Sequence, residues 1–457
     1  PFRTRIEPSE YAGEVIGLTA MGADCSAGYK ARFSCFKWPR QAVNPGFRYI
    51  RAMHDATRKL SIAQVLICGA TIVTLSMGIR HGFGMWLAPI TQDMGWTRQT
   101  FALAMAIQNL SWGIFGIFGG MMADRFGAFR VLILGALLYA LGLAGMALSP
   151  TPLLFSLTTG VLIGAAQAGT TYAVIYGVLG RQISAERRSW AMGVAAAAGS
   201  FGQFLMMPLE GQLIAQLGWQ TSLLVLAAMV LLIVPLAFGL REPGFHGSAP
   251  IQRTQSAGHA FAEALRYKSF LLLTAGYFVC GFQVVFIGVH MPSYLKDHGL
   301  SPQVASTALA LIGLFNVFGT YAAGTLGQRM AKRHILAFIY FARAVVITIF
   351  LLVPLSPMSV YVFSAVMGTL WLSTVPPTNA AVAQIFGVQH LSMLSGFVFF
   401  SHQIGSFFGV WLGGYLYDTS GSYDIVWYLA IALGVAAGLI NLPVREGAIA
   451  RPTAQAA

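Results

Sequence analysis

The sequence predicts an all-α membrane protein with twelve transmembrane helices in two pseudo-symmetric six-helix halves. Three observations carry that expectation. Of 457 residues, 56% are hydrophobic and only 9% charged, whereas a soluble domain carries about 25% charge, so most of the surface must face lipid. Apolar runs of about 20 residues recur along the chain, the length a helix needs to cross the hydrocarbon layer. The third observation is a repeat. Residues 88–125 align with residues 291–329 with one residue inserted, so that Pro89 falls on Pro292, Asp93 on Asp297, Gly120 on Gly324 and Arg125 on Arg329. Gly193 and Gly202 fall in the same way on Gly396 and Gly405.

Taken in order, residues 1–58 mix Arg, Lys, Pro and Gly without apolar periodicity, and Met53 directly precedes the first apolar run. They read either as a disordered cytoplasmic tail or as upstream sequence from a misplaced start, the second being favoured. No apolar core with a small-residue cleavage site marks a signal peptide there. Spans are predicted at about 61–90, 99–122, 129–149, 152–180, 190–216 and 219–240, forming an N-terminal half over 59–240. A polar, basic linker, "REPGFHGSAPIQRTQSAGHAFAEALRYK", occupies 241–268. Spans at about 270–295, 302–326, 334–354, 357–384, 392–417 and 424–443 make the C-terminal half, 269–445, and a cytoplasmic tail of 446–457 follows. Pro376 and Pro377 should break or kink the tenth span, since proline removes a helical hydrogen bond.

The net charge of +13 is not the signature of nucleic-acid binding, because the charges sit in short gaps between apolar runs. With a cytoplasmic N-terminus, the inside loops collect Arg125, Arg130, Arg181, Arg187, Arg188, Arg241, Arg253, Arg266, Lys268, Arg329, Lys332, Arg333 and Arg445. The outside loops keep only Arg98 and Lys296, beside Asp93, Asp297, Asp418 and Asp424. Lys and Arg accumulate on the cytoplasmic side of membrane proteins, so both termini are expected there, in a bacterial inner membrane. Cys25, Cys35, Cys68 and Cys280 have no metal or disulfide spacing. Neither a metal nor any other cofactor is expected, and neither is an enzyme, because no nucleophile or metal-ligand constellation is present.

The loop "GGMMADRFGAFR", 119–130, resembles the signature between spans 2 and 3 of the major facilitator superfamily, through Gly120, Asp124, Arg125, Gly127 and Arg130. The resemblance extends over roughly 60–445. In the second half Gln328 stands where that signature has Asp. "RHGFGMWLAPITQDMGW", "AIQNLSWG", "GSFGQFLMMPL" and "FFSHQIGSFFGVWLGGYLYDTSGSYD" look like its bacterial monocarboxylate-transporter-like branch. Two departures stand out. The better-known carriers have an Asp-Arg pair in helix 8, where this chain reads "LALIGLFNVFGTYAAG" without a charge. Their motif at the start of helix 1 is absent, and they carry a helix-1 lysine at about the level of Arg80 or His81. The resemblance implies the major facilitator fold and a conformational latch formed by Gly120, Asp124, Arg125, Gly127 and Arg130.

Arg80 is the residue that calls for a role. It lies about 28 Å along the first span at 1.5 Å per residue, and an arginine in lipid costs several kcal/mol and tends to be functional. A guanidinium offers a fork to a carboxylate. The alternative is a structural pair or a side chain snorkelling to the interface. By the repeat, its counterpart in the second half is Gln283, which leaves the charge on one side. His81, His290 and His402 titrate near neutral pH when unperturbed. Glu210, beyond Pro208 in the fifth span, is a candidate proton carrier, an ion-pair partner or a residue of the outer water layer. Arg343, mid-span in helix 9, reads as a structural pair or interior hydrogen-bonder, with substrate contact the alternative. Polar positions that suggest a cavity wall are Gln108, Asn109, Tyr172, Tyr176, Gln203, Asn316, Asn379, His402 and Gln403, though some will bond helix to helix. His402 is a candidate for both binding and coupling.

The leading expectation is a secondary active transporter that moves a small organic anion, a monocarboxylate, by alternating access. Halves related by repeats rock against one another in such proteins. No G-x-x-x-x-G-K-[ST] loop is present, which argues against ATP as the drive. Proton symport is the default, while anion exchange and facilitated diffusion fit equally well. The expected partners are the anion, protons and the lipid bilayer, with no nucleic acid and a monomeric chain. The runner-up is an exporter of amphipathic drug-like or lipopeptide compounds, for which Trp112, Phe201, Phe204, Phe399 and Phe400 would supply an aromatic wall.

Overall fold

The computed structural model describes residues 60–183, 185–242, 255–387 and 390–449. The tail expected at 1–58, most of the linker loop and the end of the chain lie outside them. Among the described residues, eleven helical stretches are long and apolar enough to cross a bilayer. One of them, Ala191–Phe238, has 48 residues. At 1.5 Å per residue that is about 72 Å, more than twice the hydrocarbon thickness. Gly218 divides it, with φ 74° and ψ 167°, a conformation that side chains with a Cβ avoid. The stretch is therefore two spans, and the bundle has twelve.

In chain order these are α1 (Ile62–Met94), α2 (Arg98–Phe126), α3 (Ala128–Leu148), α4 (Pro152–Leu179), α5 (191–217) and α6 (219–238). After a short linker helix, Ala257–Arg266, come α7 (Lys268–Asp297), α8 (Pro302–Leu326), α9 (Lys332–Leu352), α10 (Pro357–Phe386), α11 (Leu391–Ser420) and α12 (Asp424–Asn441). Starts and stops follow local chemistry. Ser61, Thr97 and Thr151 cap α1, α2 and α4 by accepting from the backbone N–H three residues on. Pro152, Pro302 and Pro357 occupy first turns, where a missing N–H costs nothing. Gly127, at φ 86°, ends α2 and turns the chain into α3.

Three spans are interrupted in ways that shape the interior. α1 tightens into a 3₁₀ turn at Phe83–Trp86, just ahead of Pro89, whose ring nitrogen cannot bond back to the Met85 carbonyl. α4 breaks at Thr171, between Ile163–Thr170 and Tyr172–Gln182. α10 stops at Leu370 and resumes at Val375, because Pro376 and Pro377 have no N–H to carry the ladder across the gap and fit instead in the first turn of the resumed helix.

The two halves use the same packing device. In the first half Gly78 faces Gly202, so that a Cβ on Gly78 would meet the Gly202 carbonyl and Met206; this seats α1 on α5. In the second half Gly281 lies against the His402 carbonyl and Gly405 against that of Phe278, seating α7 on α11. Small residues let membrane helices approach this closely. Gly84 joins the halves, pressed on the Gly288 and Val289 carbonyls of α7.

Candidate functional site

The seam between the halves is built by α2 against α11 and α5 against α8. Following the first pair along its length shows where the seam is closed. At the end away from the linker, Gly414 packs on Arg98 and Ala102. In the middle, Trp112 meets Phe399 edge-on at 5.2 Å, and Gly113 meets Phe400 and Gln403. Toward the linker end, no described residue lies within 4 Å of the Cβ positions of Gly116, Gly120 and Gly396. The other pair behaves alike. Gly211 touches Ser306, Gln203 donates to the Leu309 carbonyl at 3.0 Å, and Asn316 donates to Ser200 at 2.8 Å, whereas Gly193 near the linker end is open. Among the described residues, the halves therefore meet at the far end and in the middle, and the contacts thin out toward the linker.

A charged network ties the far end. Arg98, the first residue of α2, forms two 2.6 Å hydrogen bonds to the two carboxylate oxygens of Asp297 at the end of α7. Its guanidinium carbon lies 3.7 Å from the Tyr417 ring centre, and one of its N–H groups donates to the Tyr423 hydroxyl at 2.9 Å. The Asp418 carboxylate accepts from the backbone N–H groups of Arg98 and Gln99, at 3.2 and 2.7 Å. It thus satisfies orphan donors of a helix of the other half. Lys296 donates to Gln92 at 2.8 Å. Behind this layer His290 is buried, its Nε2 bonded to the Val410 carbonyl at 2.8 Å and its Nδ1 to Tyr423 at 3.2 Å. Sequence reasoning had placed Arg98, Asp297 and Asp418 in outer loops and given them no task. The one available signal was that both signs of charge met at the starts and ends of spans there.

Arg80 lies at the middle of the bundle, half-buried on α1. One N–H donates to Asn109 of α2 at 2.6 Å, and its guanidinium carbon stands 4.5 Å from the Trp112 ring centre. Its Nε–H is buried without an acceptor, and among the described residues no carboxylate lies within ion-pair distance. His81 beside it bonds only within its own helix, to the Met77 carbonyl at 2.6 Å. Tyr172 and Tyr176, with ring centres 5.6 Å apart, follow the break in α4, and the Tyr172 hydroxyl lies where a Cβ on Gly199 would fall. Across the seam, Phe399 stacks parallel to His402 at 6.0 Å, and His402 meets Tyr277 at 5.0 Å. Gln403 is buried with its amide nitrogen unpartnered, and Gln203 likewise keeps an unpartnered amide oxygen.

Other expected site residues fall elsewhere. Gln283 is fully buried and spent on scaffold, donating to the Ala430 carbonyl and accepting from Arg343. Arg343 is itself fully buried and fills the gap in α10, donating to the Leu370 and Trp371 carbonyls left over by the break. Asn316 braces the same gap, its side-chain oxygen accepting from the Leu372 N–H. Gln108 bonds to the Thr159 carbonyl within the first half. Asn379 bonds only to Val375 of its own helix. Glu210 is fully buried, its carboxyl pressed over Gly82 where α1 bends, and neither oxygen has a hydrogen-bond partner. Of the expected latch, Arg125 and Arg130 are exposed and Arg125 lies over its neighbour Phe126 at 5.4 Å; the side chain of Asp124 lies outside the described residues.

Twelve apolar helices in two repeated halves, meeting over buried polar groups, define a multi-pass membrane transporter. The chain belongs to the Major Facilitator Superfamily, which it matches over residues 66–382. It is 24% identical over 387 residues to YcxA, an uncharacterized MFS-type transporter of Bacillus subtilis, covering 82% of this chain and 93% of that one. It is 27% identical over 384 residues to monocarboxylate transporter 13 of Bos taurus, covering 81% and 86%. Among solved structures, a bacterial homologue of the human lysosomal transporter Spinster, in an inward-facing and occupied conformation, superposes with a TM-score of 0.67 at 15% identity, covering 84% of this chain and 96% of that one. Proteins of this superfamily are transporters, not enzymes.

Proposed function

We propose that this transporter moves a small organic anion, a monocarboxylate, by alternating access coupled to a proton. The observation that carries the reading is Arg80: a half-buried guanidinium at mid-membrane, facing the seam, with an orphaned Nε–H and no carboxylate partner among the described residues. A buried charge without a counter-ion is costly, and a carboxylate supplied by the substrate offsets that cost through a charge-assisted fork. Relatedness to a monocarboxylate transporter supports the same substrate class. Glu210 is the coupling group in this reading: a fully buried carboxyl whose oxygens have no hydrogen-bond partner among the described residues, and no other task in the bundle. The Lys and Arg asymmetry of the loops supports a cytoplasmic linker end and cytoplasmic termini in a bacterial inner membrane. In that orientation the described state opens to the cytoplasm, and Gly120, Asp124, Arg125, Gly127 and Arg130 latch the linker end in the opposite state.

The test is uptake of labelled carboxylates into proteoliposomes under an imposed pH gradient, with Arg80→Gln beside the parent chain. Gradient-driven uptake that disappears in a folded Arg80→Gln protein is the expected result. Uptake indifferent to that change would return Arg80 to a structural role. The exporter reading is favoured by Trp112, Phe399 and Phe400 at the same seam, and it predicts outward flux of apolar compounds that does not depend on Arg80.

A further inference from the structure

Resting on the reading of Arg80 as the anion-binding group, we infer that the preferred substrate is an aromatic carboxylate: a carboxyl group on or next to one planar ring. Alternating access requires a ligand that touches both halves, since it shifts the equilibrium only by contacts that differ between the two states. The charge lies on the first half alone. A series of rings leads from it into the second half. Trp112 stands 4.5 Å from the guanidinium carbon of Arg80, Phe399 follows at 5.2 Å from Trp112, His402 lies parallel to Phe399 with an interplanar angle of 10°, and Tyr277 follows at 5.0 Å. The series crosses the seam at Trp112–Phe399, and Phe399 is only half-buried.

Reach admits a ring-bearing acid, and the chemistry of the rings selects it. The two steps from the guanidinium to Trp112 and on to Phe399 put the Phe399 ring centre no more than about 10 Å from the charge. A carboxylate bearing one ring is roughly 6 Å long, and with ordinary contact of about 3.5–4 Å at its far end it reaches Phe399 anywhere within that bound. The chemistry agrees with the size. The ring edge carries partial positive charge and the face partial negative charge, so a flat ring gains from offset or edge-on placement against Phe399 and His402. A saturated ring of the same bulk does not. Among the described residues no second cation faces Arg80 across the seam, which argues against a dicarboxylate.

The experiment is calorimetric titration of the purified full chain with benzoate, cyclohexanecarboxylate, acetate and benzyl alcohol, repeated on Phe399→Leu, Phe399→Tyr and Arg80→Gln. Benzoate should bind roughly tenfold tighter than acetate, given the usual worth of one or two aromatic contacts, with cyclohexanecarboxylate between them and benzyl alcohol unbound. Phe399→Leu should narrow the gap between benzoate and cyclohexanecarboxylate while leaving acetate unchanged, and Phe399→Tyr should restore it. Arg80→Gln should remove binding of all three acids. Equal affinity for acetate and benzoate, or a preference untouched by Phe399→Leu, overturns the aromatic assignment and leaves the anion reading standing. Binding of no carboxylate at all, or carboxylate binding that survives Arg80→Gln, overturns both.

Discussion

Replacing Asp297 by Asn should loosen the far end of the bundle and populate the opposite state. The amide keeps the shape but loses the charge, and it sets an NH2 donor where one carboxylate oxygen accepted from Arg98. In the structure both contacts are 2.6 Å, and the side chains of Arg98 and Asp297 are 14% and 27% exposed. Fully exposed pairs are worth about 0.2–1 kcal/mol, and breaking a buried pair costs about 3–5 kcal/mol; this pair lies between, at about 2 kcal/mol. At about 1.4 kcal/mol per tenfold, that shifts the balance roughly 30-fold. A far-end-open population of about 1% would rise to roughly a quarter. Asp418→Asn weakens the cap on the start of α2 and adds about 1 kcal/mol, enough in combination for the open state to dominate. Spin labels at Thr97 and Ser301, exposed positions on the two sides of the lock, read the opening as a longer distance in double electron–electron resonance. The charge swap of Arg98→Asp with Asp297→Arg should recover part of the short distance. If neither Asp297→Asn nor its combination with Asp418→Asn lengthens the distance, the network is decoration at a surface and does not hold the state.

Arg343→Leu should destabilise the protein by about 3 kcal/mol, because it strands the Leu370 and Trp371 carbonyls at the gap in α10. Thermal unfolding in detergent measures it, and an unchanged midpoint would show that the gap finds other partners. Glu210→Gln should abolish accumulation driven by a pH gradient while exchange of labelled for unlabelled substrate continues. Gradient-driven accumulation in that variant would remove Glu210 from coupling.

The helical count and the repeat were legible because lipid imposes a simple rule: every backbone group must bond within its segment, so each crossing is a run of apolar residues of known length. Even the division of α5 from α6 was visible, as the turn needed Gly218 between two full-length runs. Arg343 was legible only in part: a mid-span arginine has to find partners inside the bundle, but that these are the Leu370 and Trp371 carbonyls freed in α10 depends on how two distant spans pack. Gln283 shows where symmetry in sequence stops predicting environment. It is the repeat partner of Arg80, yet its amide is turned to Arg343 and Ala430 and away from the seam. A one-dimensional alignment preserves position along a helix but not the neighbours that choose which side chain fills the interior. The far-end network escaped for a different reason. Arg98, Asp297, Asp418 and Tyr423 lie at the ends of different spans, far apart in sequence, and only the joining of two halves makes them adjacent.

The two ends of the bundle place opposite demands on the energy of the cycle. The far end is held by the Arg98–Asp297 fork and the Asp418 cap, together about 3 kcal/mol on the figures above. At the linker end Gly116, Gly120, Gly193 and Gly396 have no neighbours across the seam among the described residues, and Arg125 and Arg130 are exposed. A transporter works only if its two states lie within a few kcal/mol of one another, so closing the linker end must return about what opening the far end costs. Gly116 and Gly120 leave room for α11 to approach α2, and the arginines beside them are free to take partners when it does. The substrate then acts as the third member of this balance. On the proposed reading, a substrate that gives Arg80 a counter-ion and touches α11 at the same time would stabilise most the arrangement in which the two halves close around it, between the two open ends.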